Sequence, residues 1–219
     1  MKNSEKRNLI ASVSFVGAFI LWTVLLTFVD VQTIGPLESE VGFATINGFV
    51  HELTGVNMTL YTITDWLGLV PIAVALGFGI LGLSQWIKRK QLKKVDFSIF
   101  VLGAFYIIVM AFYMFFEGFV VNYRPVLING FLEASYPSST TMLVMCVMPT
   151  AIMQFNSRIR NLILRRSVSV IISVFIVFMV AGRLVSGVHW LSDIIGGALL
   201  STGLVLMYRG VSRLKEKNF

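Results

Sequence analysis

The chain has 219 residues, of which 56% are hydrophobic and 13% charged, with a mean hydropathy of +0.82. A soluble domain has to cover its surface with polar groups, so this composition describes an integral membrane protein. It excludes a water-soluble enzyme, a disordered regulator and, despite a net charge of +7, a nucleic-acid binder. One cysteine excludes an intramolecular disulfide and two histidines exclude a His-rich metal cluster, so any chemistry runs on few polar groups.

A helix needs about 17 to 25 apolar residues to cross roughly 30 Å of hydrocarbon. Six stretches are candidates: Leu9 to Val29, Trp66 to Ile87, Phe97 to Phe116, Thr140 to Phe155, Val168 to Leu184 and Leu191 to Tyr208. The first follows Lys2, Lys6 and Arg7 as in a signal peptide, but its apolar run is too long and no small-residue cleavage site follows, so it reads as a retained signal anchor. In the first outer loop, Phe43, Ile46, Val50 and Leu53 recur at helical spacing with Glu40, Asn47 and Glu52 interleaved. This predicts a short amphipathic interfacial helix that either roofs a cavity or only anchors the loop. Gly77, Gly79 and Gly82 spell GxGxxG without a preceding strand, so they predict close helix packing instead of a dinucleotide site, and Gly196, Gly197 and Ser201 read the same way. The fourth stretch would rise only about 24 Å, and Pro149 is placed to kink it. Cys146, among Met142, Met145 and Met148, reads as a buried small hydrophobe.

Cytoplasmic loops are enriched in Lys and Arg. Sixteen of the eighteen basic residues fall on one side: Lys2, Lys6 and Arg7; Lys88 to Lys94; Arg158 to Arg166; and Arg209 to Lys217. The expected architecture is therefore all-α, with six transmembrane helices in one domain over residues 1–219 and both termini cytoplasmic. Only Arg124 and Arg183 lie on the outer face, which is otherwise acidic and carries Asp65, Glu117 and Glu133 among others. Basic residues retained where topogenesis disfavours them are candidates for function.

Three stretches at the outer ends of the spans concentrate the remaining polar groups: Glu117 to Pro125, Tyr136 to Thr141, and Gly182 to Asp193. His189 and Asp193 are four apart and share a face if helical, so the carboxylate can orient the ring. Pro137, Ser138 and Ser139 open the fourth span, where free backbone N–H groups, hydroxyls and the positive end of a helix dipole suit an anion. Arg124 and Arg183 add guanidinium forks matched to phosphate oxygens. Singly, each feature has a plain explanation: an Arg snorkels to headgroups, a His–Asp pair caps a helix, and Pro-Ser starts one. Together, on a face short of other cations, they make a site for a phosphate and a nucleophile.

These residues resemble the motifs of the type 2 phosphatidic acid phosphatase superfamily of membrane lipid phosphatases. Its pattern is Lys, six residues, Arg-Pro; then Pro-Ser-Gly-His; then Ser-Arg, five residues, His, three residues, Asp. Arg124-Pro125 matches the end of the first motif, Pro137-Ser138 the start of the second, and Arg183, His189 and Asp193 match the third with both spacings intact. The resemblance implies that a phosphorylated or pyrophosphorylated membrane lipid is hydrolysed at the outer face of the plasma membrane. In that reading His189 forms a phosphohistidine, Asp193 orients it, and Arg124, Arg183, Ser138 and the backbone around Ser139 hold the phosphoryl oxygens without a metal or other cofactor.

Three positions depart from the pattern: Glu117 replaces the motif Lys, Thr140 the second-motif His that protonates the leaving group, and Gly182 the Ser before Arg183. A hydroxyl is no general acid at neutral pH, and loss of such a group costs about 10²- to 10⁴-fold in rate. Three explanations follow. The leaving group needs no proton, as when a polyprenyl or diacylglycerol pyrophosphate expels a phosphomonoester. Alternatively, Glu117 is the adaptation, holding a cationic headgroup or itself supplying the proton, which describes a headgroup transferase or phosphodiesterase. The last is an inactive pocket that binds or moves a phospholipid. His51 and Glu133 are the other residues able to donate a proton.

Overall fold

Uninterrupted apolar runs leave backbone N–H and C=O groups without solvent partners, and a helix satisfies them within one segment. The computed structural model, which describes residues 3–214, is accordingly helical, with eight α-helices: α1 Asn3–Leu26, α2 Ala44–Thr54, α3 Met58–Leu67, α4 Leu69–Arg89, α5 Phe97–Gly118, α6 Ser139–Arg158, α7 Leu162–Val185 and α8 Leu191–Leu214. Lys2, Lys215 and Lys217, part of the expected cytoplasmic ends, lie outside the described residues. Polar side chains cap three entries: Asn57 Oδ1 accepts from Leu60 N at 2.9 Å, Ser138 Oγ from Thr141 N at 3.4 Å and Asn161 Oδ1 from Leu164 N at 3.0 Å.

Among the described residues, five helical runs are long and apolar enough to cross a membrane: Glu5–Leu26, Met58–Arg89, Phe97–Gly118, Leu162–Val185 and Leu191–Ser212. The chain is a multi-pass membrane protein. The second run begins eight residues before the expected Trp66, because α3 and α4 are joined through Gly68. This matters for function, since α3 carries Tyr61 and Asp65 towards the site. The fourth expected stretch is also longer than its apolar core suggested. α6 has 20 residues, a rise of about 30 Å, and its helical assignment continues through Pro149. Beside the proline, the Thr150 hydroxyl donates to the carbonyls of Cys146 and Val147 at 2.9 and 2.8 Å.

α6 and α8 form the centre. One apolar cluster joins α1, α4, α5, α6 and α8 around Leu102, Met142, Cys146 and Leu200, and a second joins α6 and α7 through Val144, Val147, Ile172 and Met179. Cys146 is fully buried, as expected of a small hydrophobe. Residues such as Val13, Ile80, Ile107 and Val174 point outwards, which is the surface lipid would cover. Close glycine packing occurs at some of the expected positions and at others that the pattern did not single out. A Cβ on Gly203 would lie 2.8 Å from Val16, and one on Gly210 2.9 Å from Leu9, so these two let α8 lie close against α1. Gly196 packs against the Tyr136 ring and Gly197 against Ser138 and Thr141. In the GxGxxG stretch, Gly82 meets Ile99, whereas Gly77 and Gly79 meet nothing within 4 Å, so close packing is corrected for those two.

α2 forms in the segment between α1 and α3 where the amphipathic spacing predicts a helix, with Asn47 buried instead of lying on an exposed polar face. Asn47 Oδ1 accepts from Ser192 N at 3.0 Å, and its Nδ2 donates to Ser192 Oγ at 2.9 Å and Gly42 O at 2.8 Å. α2 is thereby tied to the first turn of α8. Ile46 and Leu53 of the apolar stripe are exposed.

Candidate active site

The loop between α5 and α6 is organised by a two-residue turn. Asn129 and Gly130 both have positive φ, 52° and 84°, the pairing that a tight hairpin turn demands. Ile128 and Phe131 exchange backbone hydrogen bonds across it, and the arms continue with Arg124 N donating to Glu133 O at 3.0 Å and Ser135 N to Asn122 O at 2.9 Å. Four polar side chains are thus brought together: Asn122 and Arg124 on one arm, Glu133 and Ser135 on the other.

The third motif occupies the end of α7, a short turn and the start of α8. Gly187 has φ +66°, and a Cβ there would lie 1.9 Å from Gly55 O. The same crossing is pinned by Asn57 N donating to Ser186 O at 3.0 Å. A left-handed Ala costs about 1–2 kcal/mol before the clash is counted, so Gly187→Ala is expected to lower the thermal midpoint in detergent and to cut turnover at least about tenfold by moving His189. An unchanged melt would show that this crossing is not what holds the turn.

His189 lies in the turn, two residues before α8, so its relation to Asp193 is not the helical one that the spacing suggested. Nδ1 is 3.7 Å from Asp193 Oδ2, beyond hydrogen-bond reach, and Ser135 Oγ stands between them, 3.0 Å from Nδ1 and hydrogen-bonded to Oδ2. The carboxylate also accepts from Trp190 N at 2.9 Å and Asn122 Nδ2 at 3.5 Å. On the other edge of the ring, Nε2 meets Arg124 Nη1 at 3.3 Å and Arg183 Nη2 at 3.4 Å. Burial, followed by the charges of Arg124 and Arg183, holds His189 well below the ordinary imidazole value of 6.5, so the ring is neutral at neutral pH.

Both guanidinium groups are buried against carboxylates. Arg124 Nε is 3.0 Å from Glu133 Oε2, at an angle outside hydrogen-bond geometry, and Arg183 Nη1 is 3.6 Å from Asp65 Oδ1. Arg183 also lies 4.9 Å over the Tyr61 ring, yet its Nε and Nη1 have no hydrogen-bond partner. Orphaned donors on a buried cation are costly, and phosphoryl oxygens are the partners such a fork suits.

A cavity of about 560 Å³ opens in front of these groups, lined by Arg124, Arg183, Ser135, Ser139, Thr140 and Glu117 together with Tyr61, Asp65, Tyr113 and Glu133. Of the sequence-predicted residues, Ser139, Thr140, Glu117 and both Arg line it directly. His189 and Asp193 lie behind the Arg pair. Ser138 is fully buried outside the cavity lining and caps α6: its hydroxyl accepts from Thr141 N and its backbone N donates to Asp193 O at 3.1 Å. Of the two alternative proton donors, Glu133 lines the cavity, whereas His51 packs tilted against Trp190, ring centroids 5.4 Å apart, and does not. α2 contributes no lining residue, so the loop-anchoring reading of that helix fits better than the roofing one. Ser135, Asn122 and Tyr61 were not singled out by motif reading. The Asn129-Gly130 turn is the sequence signal that pairs the two arms and could have found Ser135.

Residues 116–216, which run from the end of α5 through α8, match the PAP2 superfamily and contain every one of the predicted site residues. The match spans just under half of the chain and makes this segment similar to that family. The likeness supports an enzyme class, a phosphoric ester hydrolase of the lipid phosphatase type. The fold agrees over nearly the whole chain with the crystal structure of a transmembrane PAP2-type phosphatidylglycerolphosphate phosphatase from Bacillus subtilis, with a TM-score of 0.57 and 18% identity over 94% of this chain and 98% of that one. No curated protein sequence matches the chain.

Proposed function

We propose that this PAP2 protein removes the terminal phosphate from a pyrophosphorylated membrane lipid, of the polyprenyl or diacylglycerol pyrophosphate type, at the outer face of the plasma membrane. The observation that carries the proposal is the convergence of Arg124 and Arg183 on His189 Nε2 beside a cavity that also receives the start of α6. The first N–H groups of α6 have no intrahelical acceptor and its dipole favours negative charge, so Ser139 and Thr140 supply backbone donors while the two Arg supply side-chain ones. Nε2 of His189 attacks the terminal phosphorus, the bond from phosphorus to the bridging oxygen breaks, and the lipid monophosphate leaves with the electron pair. Water then attacks the phosphohistidine. The P–N bond breaks, and inorganic phosphate departs with the water oxygen and its protons, restoring neutral imidazole.

Thr140 lines the cavity where the family has its leaving-group acid, and a phosphomonoester leaving group does not require one. A panel of lipid monophosphates, pyrophosphates and choline or ethanolamine phospholipids, given to the purified protein, tests the proposal. Phosphate release from pyrophosphates supports it, and release of a headgroup alone sinks it. A second reading is favoured by one observation. Each Arg already faces a carboxylate, and Glu117 adds a third to the same cavity, which suits a substrate with a cationic headgroup next to its phosphate.

In this reading α6 is the sixth span, α2 lies at the outer interface, both termini are cytoplasmic and residues 1–219 form one domain. Single reporter cysteines in a Cys146→Ala background test the direction. An impermeant thiol reagent applied to intact cells is expected to label Asn129→Cys and spare Lys90→Cys, and the reverse pattern would invert the topology.

A further inference from the structure

Asp193 reaches His189 through a third residue. The carboxylate oxygen nearest the ring, Oδ2, is 3.7 Å from Nδ1, and the gap is filled by the hydroxyl of Ser135, which is 3.0 Å from Nδ1 and donates to Oδ2. Ser135, His189 and Asp193 are all buried. A serine hydroxyl has one proton, and a carboxylate held by donors from Ser135, Trp190 and Asn122 can only accept. The Ser135 proton is therefore engaged by Asp193, and the 3.0 Å contact to the ring is made by Nδ1–H donating to the serine oxygen. That assignment strips the proton from Nε2, the nitrogen on which Arg124 and Arg183 converge.

We propose that Ser135 is a positioning residue that couples Asp193 to His189, fixing the ring in the tautomer whose Nε2 lone pair faces the phosphoryl site. Its usefulness to catalysis rests on the reading of His189 as the nucleophile, whereas its effect on the ring does not. The backbone places it without help from the helices: Ser135 N donates to Asn122 O at 2.9 Å, so the hairpin that brings Arg124 to one edge of the ring brings Ser135 to the other. Without the hydroxyl, Nδ1–H faces a carboxylate too distant to accept it, and neither the tautomer nor the ring plane is specified.

The chain has two histidines, so ¹⁵N-histidine labelling of the full-length protein in detergent gives two rings, and a His51→Asn variant assigns them. In the wild type, His189 is expected to show a protonated Nδ1 and a bare Nε2. Ser135→Ala is expected to give a mixture of tautomers or the opposite one. Ser135→Thr, which keeps the hydroxyl, is expected to retain the wild-type signature. With farnesyl pyrophosphate as probe, Ser135→Ala should lower kcat by about 10²- to 10⁴-fold, the upper end being what a wrong tautomer costs in a hydrolase triad, with KM changed less than about twofold. An unchanged tautomer in Ser135→Ala overturns the proposal, as does a full rate. If the wild type releases no phosphate from the probe or any other lipid, the nucleophile reading fails, and the labelled rings still decide whether Ser135 sets the tautomer.

Discussion

His189→Ala is expected to reduce lipid turnover by roughly 10⁴-fold or more, because the proposed attacking atom itself is removed and the chain's other imidazole, His51, does not line the cavity. The loss should appear in kcat, and an acid-labile phosphoenzyme trapped from the wild type with radiolabelled pyrophosphate lipid should be missing from the variant. The pH profile adds an independent check. The neutral ring is the active form, and burial with the two nearby guanidinium groups lowers its pKa well below 6.5. In this mechanism protonation inactivates, so a lowered pKa moves the acid limb to lower pH: kcat/KM should hold its value as pH falls through the ordinary imidazole value of 6.5 and decline only at lower pH. An acid limb at or above 6.5 would place the nucleophile elsewhere, and retention of wild-type activity by His189→Ala would end the phosphohistidine mechanism.

The rate on a pyrophosphate lipid is expected to exceed that on the matched monophosphate by about 10²- to 10⁴-fold, or roughly 3 to 5 kcal/mol of barrier, the amount that general-acid help contributes. A lipid alkoxide is a strong base and leaves slowly without a proton, whereas a phosphomonoester leaves as a stable anion. Thr140 and Glu117 both line the cavity, so Thr140→His with Glu117→Lys installs the family acid and the family cation at the same place. That double variant should raise monoester hydrolysis more than pyrophosphate hydrolysis. Equal rates on the two lipids, or no gain on monoesters, would favour the cationic-headgroup reading, provided that a choline or ethanolamine phospholipid is turned over and that Glu117→Gln impairs it.

Most of the helices were legible in the sequence because their cause is local. An apolar run must satisfy its own backbone in lipid, so α1, α5, α7 and α8 start or end close to where hydropathy places them. Boundaries shifted where the cause lay outside the run: α3 extends the second span because it packs along α7, and α6 continues past its apolar core because its polar ends, Ser139 to Thr141 and Gln154 to Arg158, are held by neighbouring helices and the site. The glycine patterns divide for the same reason. Gly203 and Gly210 meet α1 while Gly77 and Gly79 meet nothing, and spacing within one helix cannot say which face has a neighbour.

By itself the sequence determined the membrane class, the apolar runs that become helices and the candidate set of Arg124, Arg183, His189 and Asp193, because composition and motif spacing are properties of the chain. Only the tertiary structure decided how those residues work together. Ser135 has no motif of its own and lies 54 residues from His189, Asp65 reaches Arg183 across 118 positions, and Ser138 caps the start of α6. Each of these contacts is made between segments that hydropathy treats as independent. They meet because a hairpin, a glycine turn and the start of α6 are packed against the same end of α8, and that packing sets Ser135 on one edge of the His189 ring and the two Arg on the other.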